Sequence, residues 1–264
     1  MKKYRQVFIN SFAQYFAYRL NFILWRVRIV ISIIMSYFLW TAVFTSERQV
    51  FGYSQNRIIT YILLTIFVNG IVLSTQTAQV ATEINFGTLS KFLIRPLNFF
   101  AFNMARDLSD KVINTFFSIP EFILLFILLK PPIIIQTEPL FLILFITALA
   151  LATILYFEIG MILSFIGFWS NETWAPRFLF FILVAFLSGN YFPLDILPQN
   201  IYRILEYLPF TYLVFYPLKI YLGELSPIFI YRGFGIVAIW TVLFYFLMQF
   251  IWQKGLKIYT SEGQ

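Results

Sequence analysis

The chain contains no cysteine and no histidine. Disulfides, thiol nucleophiles, imidazole bases and metal sites built on Cys or His are excluded together. Charge is nearly as scarce: Asp, Glu, Lys and Arg make up 12% of 264 residues, about half the usual share. So few charges cannot cover a water-facing surface, and lipid must replace water around most of the molecule. No Gly is followed by Lys, so GxxxxGK[ST] is absent and ATP hydrolysis on the usual phosphate-cradling loop is not expected in this chain. A cleaved signal peptide is not expected either, because Asn10, Gln14 and Arg19 interrupt the apolar stretch that such a signal needs.

What is present is apolar length. Charge-free runs cover 29–46, 58–82, 140–157 and 233–253, each close to the ~20 residues that cross a ~30 Å hydrocarbon layer as a helix. The reading is an all-α integral membrane protein forming one transmembrane domain over 1–264. Residues 4–20 predict an amphipathic helix lying in the interface, with Tyr4, Phe8, Phe12, Tyr15 and Phe16 on one face and Lys3, Gln6, Asn10 and Gln14 opposite. Six spans follow at about 22–45, 58–79, 108–129, 139–168, 177–190 and 228–252. Arg26 and Arg28 start the first span, where long side chains snorkel to the headgroups. The fourth span is too long for an upright crossing and is expected to tilt or project.

The distribution of Lys and Arg sets orientation. One side holds Lys2, Lys3, Arg5, Arg19, Lys91, Arg95, Arg106, Lys111, Arg177, Lys254 and Lys257; the other holds Arg48, Arg57, Lys130, Arg203, Lys219 and Arg232. This excess predicts a multi-pass protein with both termini cytoplasmic. It also explains the net charge of +7 without nucleic acid as a partner. The loop 80–98 then faces the cytoplasm. Residues 191–227 hold five prolines, too many for one span, yet they are too apolar for a solvated loop. They are read either as two short helices dipping into the outer membrane, where irregular backbone must be buried or line a cavity, or as an interfacial cap that only stabilises the fold.

Glu121 and Glu158 are the carboxylates deep in predicted spans. Each is either a functional group facing a wet interior or a neutral or hydrogen-bonded packing group. If they met, a proton-coupled carrier independent of ATP would be the alternative reading. No convergent polar set suggests a catalytic, cofactor or metal site.

Two stretches carry a family likeness. "TEINFGTLSKFLIRPLN" on the cytoplasmic side resembles the first intracellular loop of bacterial type-2 ATP-binding-cassette exporter permeases, the branch with Gly-Thr-Leu followed by Arg-Pro. "LSGNYFPLDILPQNIYRILEYLPFTYLVFYPLKIYLGE" is similar to the outer segment between the last two spans of the same family. The likeness implies an N-terminal elbow helix, six transmembrane helices and a re-entrant hairpin over 191–227. It implies that the loop is a coupling helix seated in a separate ATPase, with Glu83, Gly87, Thr88 and Leu89 setting its bend and docking. Lys91, Arg95 and Pro96 would fix its far end, and Leu89, Phe92 and Leu93 would be its apolar anchors. Gly189, Phe192, Pro193, Leu194, Pro198, Pro209, Phe210 and Pro217 would form an outer gate. The path would lie between this chain and a second copy or a related permease, lined chiefly by the second and fifth spans. Two ATPase copies would carry the ATP and Mg²⁺, with no cofactor in this chain. The implied setting is a bacterial inner membrane, and the aromatic, apolar spans point to an amphipathic or hydrophobic cargo. Sparse charge in the 168–177 turn leaves a second coupling contact around Asn171 and Glu172 open.

Overall fold

A computed structural model describes residues 2–17, 19–44 and 49–260. Arg48 and the side chains of Lys2, Gln14, Tyr15, Phe16 and Arg19, named above, lie outside the described residues.

The chain is almost entirely helical. α1 (Lys2–Ala17) lies alongside the later helix α6, and its Tyr4 hydroxyl accepts the Asn98 N–H at 3.2 Å. α2 (Arg19–Val43) leads into a two-residue hairpin, β1 (Gln49–Val50) and β2 (Tyr53–Ser54). Phe51 and Gly52 turn it with φ of 55° and 80°, matching the twist of adjacent strands. α3 (Gln55–Val68) runs on as a π-helical turn, Asn69–Leu73, and leaves the helix at Ser74. α4 (Ala78–Asn85) and α5 (Ser90–Leu93) build the loop 80–98. α6 (Phe99–Leu129) starts where the Asn98 side chain accepts the Ala101 N–H at 2.9 Å, and ends at Lys130 in the left-handed region just before two prolines. α7 (Pro139–Ser164) ends in a 3₁₀ turn, Phe165–Phe168, and α8 (Trp174–Leu187) follows. α9 (Gln199–Leu205) and α10 (Phe215–Tyr221) belong to the proline-rich segment, and α11 (Pro227–Ile258) completes the bundle.

Five segments are long and apolar enough to cross a membrane: Phe22–Val43, Gln55–Asn85, Phe99–Leu129, Pro139–Phe168 and Pro227–Ile258. The fifth expected span is a shorter apolar helix, α8, with 14 residues; at 1.5 Å per residue it is about 21 Å long. The second expected span is broken at 74–77, and α6 begins nine residues before the expected third span.

α3 is the central post. Ile58, Ile59, Tyr61, Ile62, Leu63, Ile66 and Val68 are all buried, because α2, α6 and α10 pack on α3 and α7 on its π-helical continuation. Between helices in lipid, packing and hydrogen bonds do the work that water expulsion does elsewhere. Close approach therefore matters: Gly255 of α11 lets the Phe168 ring lie against its backbone, where a Cβ would collide with it. A second core forms there from Phe99, Phe165, Phe168, Met161, Met248 and Trp252, with Phe99 stacked on Trp252 at 4.4 Å. α8 and the outward face of α11 leave large apolar side chains uncovered within this chain.

Candidate functional site

The loop 80–98 is built outward from α4. Val80, Ala81 and Ile84 are buried on one face, so Phe86, two residues further on, points to the opposite side. Gly87 then takes φ +68°, a conformation that costs other residues most. That turn sends the chain back into α5. Leu89 N–H reaches the Glu83 carbonyl at 2.9 Å. The Tyr259 hydroxyl, after the end of α11, donates to the Gly87 carbonyl at 2.6 Å and accepts the Ser90 N–H at 3.0 Å. Glu83 pairs with Arg106 of α6 at 2.6 Å, and Arg106 also meets Asn103.

This geometry corrects the expected anchors. Leu89 is 0% exposed, enclosed by this second core, because the Gly87 turn points it back under the loop. Phe92 also leans inward, its ring 4.8 Å from that of Phe102. The uncovered apolar side chains are Phe86 at 74%, Ile94 at 84% and Leu93 at 47% exposure, beside exposed Lys91, Arg95 and Pro96. Thr88 donates its hydroxyl to the Glu83 carbonyl at 3.3 Å. Phe86 and Ile94 were not singled out from sequence; the Val80, Ala81, Ile84 periodicity held the signal for Phe86.

Beneath the loop, the break at 74–77 frees backbone groups that need partners at membrane depth. α6 supplies them. Asp107 accepts from the Thr75 hydroxyl at 2.6 Å and the Gln76 N–H at 3.0 Å. Lys111 donates to the Val72 and Ser74 carbonyls at 2.9 and 2.5 Å and pairs with Asp107 at 3.3 Å. From the other side, Ser164 of α7 donates to the Thr77 carbonyl at 2.6 Å, and Arg177 of α8 reaches Ser164 at 2.7 Å and Thr77 at 3.1 Å. Four helical segments thus meet at one polar joint. Asn85 also donates to the Asn171 carbonyl at 3.0 Å, tying the loop 80–98 to the 168–173 turn.

The outer segment is assembled differently. Gly189 turns the chain at φ +80°, and its carbonyl accepts the Tyr61 hydroxyl at 2.5 Å while Phe215 N–H bonds the Ser188 carbonyl at 2.9 Å. Pro193, Leu194, Pro209 and Pro217 are buried, Phe192 and Phe210 half-buried, and Pro198 exposed. Every residue from 211 to 220 is buried, so the second half of this segment is core and not merely a surface cap. Lys219 ties it to the hairpin: its ammonium reaches Asp195 at 2.8 Å, the Tyr53 hydroxyl at 2.7 Å, and Glu224. Burial, then the Asp195 charge, pushes the Tyr53 pKa far up and keeps it a donor to Asp195 at 2.6 Å.

Among the described residues, no shared partner brings the two carboxylates, Glu121 and Glu158, together. Glu121 closes on Arg26 in a two-pronged ion pair, so Arg26 is buried where a snorkelling side chain was expected; Arg28 is exposed and lies over the Trp25 ring. Glu158 is buried, and its Oε2 finds no hydrogen-bond partner among the described residues.

A family model described as "ABC-2 family transporter protein" matches residues 30–263, which include the loop, the joint and the outer segment. The chain belongs to the ABC-2 transporter family. Comparison with curated proteins gave no match. ABC-2 membrane subunits are transport components that work with an ATPase partner. In this ABC-2 chain, α1 and Arg26 lie before the matched residues.

Proposed function

We propose that the chain is the permease subunit of an ATP-driven exporter in a bacterial inner membrane, coupled to a separate ATPase through the loop 80–98. It forms one domain with six crossings, α8 being the short fifth, and both ends are cytoplasmic. A second copy or a related permease completes the path, and two ATPase subunits hold the ATP and Mg²⁺. The residues over 191–227 close the outer exit, and the cargo is amphipathic or hydrophobic.

The observation that supports this reading is a loop braced from behind and apolar in front. Tyr259, Glu83 and Arg106 hold its frame while Phe86, Leu93 and Ile94 face outward beside Lys91 and Arg95. Apolar anchors inside a charged rim are the makings of a protein interface. The test is co-purification in mild detergent with candidate ATPase subunits, comparing the native chain with Phe86→Asp/Ile94→Asp. Leu89→Asp is a poor probe, because it would put a charge into the core. Stoichiometric recovery lost in the double variant is expected; recovery undiminished by it would sink the docking surface.

The orphaned oxygen of Glu158 supports a second reading, a proton-coupled carrier. That reading predicts pH-gradient-driven flux from the chain alone, abolished by Glu158→Gln.

A further inference from the structure

Between α2 and α6 a groove of about 500 Å³ opens on the outside of the chain, within the range of small-molecule sites. Phe22, Val27, Val30, Ile113, Phe117 and Leu124 line it, and Arg26 and Glu121 lie at its floor. The groove has a packing cause. The buried side chains of α2 are Arg26 and then Ile33, Tyr37 and Trp40, the last three belonging to the core around α3. Between Arg26 and Ile33 no α2 side chain is buried, and Val27 and Ile31 stand exposed.

The floor is polar and nearly, but not fully, satisfied. Arg26 Nε and Nη2 hold both Glu121 oxygens; Nη2 also donates to Ser118, and Nη1 to Asn114 at 3.2 Å. Those bonds use four of the five guanidinium N–H groups, leaving one on Nη1. The ion pair is neutral overall, so an anionic phosphate could be gripped only by displacing Glu121 from a buried partner, which is costly. A neutral carbonyl needs just the one remaining donor. Arg26 lies seventeen residues before Val43 on α2, about 25 Å at 1.5 Å per residue. Measured from the far end, that is near the edge of a ~30 Å hydrocarbon layer, the level at which acyl chains are esterified.

We propose that this groove binds an ester-linked glycerolipid, one acyl chain filling the apolar walls and its ester carbonyl accepting the free Arg26 N–H. The site goes beyond the transport reading and needs no ATPase. Its test reconstitutes the full chain in diether phosphatidylcholine vesicles doped with a diester phosphatidylcholine that carries a photoactivatable acyl chain, followed by peptide mapping. Labelling of 22–31 and 113–124 should exceed that of the outward face of α11 several-fold. Val27→Trp, which fills the groove from an exposed position, should remove the excess, and Met35→Trp, exposed on the same helix outside the groove, should leave it. Even labelling, or an excess that survives Val27→Trp, would overturn the site. Equal labelling by a diether probe with the same reactive chain would overturn the ester contact, and that arm requires no variant.

Discussion

Two of the places where the backbone leaves helical form are solved by different chemistry. At 74–77 the freed backbone groups are taken by side chains from other helices, Asp107, Lys111 and Ser164, and Arg177 ties in through the Thr77 hydroxyl. At 188–221 the ties are largely backbone to backbone or from tyrosine hydroxyls to carbonyls, and the residues from 211 to 220 are buried in the core. Side-chain partners can exchange acceptors within a small movement, whereas a buried turn must be repacked to move. The inner break is thus built as a joint, and the outer segment as a plug.

The largest expected effect tests the joint. Lys111→Met leaves Asp107 as a buried, unpaired charge, a loss of about 3–5 kcal/mol, read as a lower unfolding midpoint of the purified chain. Asp107→Asn/Lys111→Met should lose clearly less than the two single changes summed. A cost under about 1 kcal/mol for Lys111→Met would mean that the break holds itself, and the contrast with the plug would disappear.

Next comes the plug. Gly189→Ala combines a left-handed backbone with a Cβ 2.8 Å from the Tyr61 hydroxyl and 2.9 Å from Phe215 Cβ. The strained backbone alone costs about 1–3 kcal/mol, again visible as a lower midpoint. An unchanged midpoint would show that the outer segment gives way readily, against its assignment as the stiff region.

Tyr259→Phe is smaller, about 0.5–1.5 kcal/mol for the lost hydrogen bonds. It should appear as faster amide hydrogen exchange at Ser90, with α3 and α7 amides unchanged. Exchange that accelerates throughout α4 and α6 would mean that loop and joint are a single unit. The least effect on stability belongs to Phe86→Asp: exposed, it should shift stability by no more than about 0.5 kcal/mol. Its consequence should be confined to reduced recovery of the ATPase, and a strongly destabilised chain would contradict the exposed placement.

Much of the scaffold was legible because it depends on local composition. Four long charge-free runs announced membrane helices, and two of the expected boundaries, at Pro139 and near Pro227, fall at prolines in the first turn of a helix, where the missing N–H costs nothing. The joint was not legible. Ser74, Thr75 and Thr77 read as mildly polar residues within a span, and Asp107 lies more than thirty positions away from its Thr75 and Gln76 partners. The inward turn of Leu89 depends on one positive φ at Gly87, and that dihedral decides which apolar side chains face out. Arg26 looked like an interfacial anchor since nothing local reveals that Glu121, ninety-five positions on, sits beside it.

The Tyr259 clasp also has a consequence in time. Gly87 and Tyr259 are separated by 172 positions; at roughly 5–20 residues per second of synthesis, the loop waits about 10–30 s for its hydroxyl after it is made. Throughout that interval the surface carrying Phe86 and Ile94 has the Glu83–Arg106 brace but lacks the Tyr259 one. Docking on a braced loop, as proposed above, therefore requires α11 and Tyr259 to have been made first.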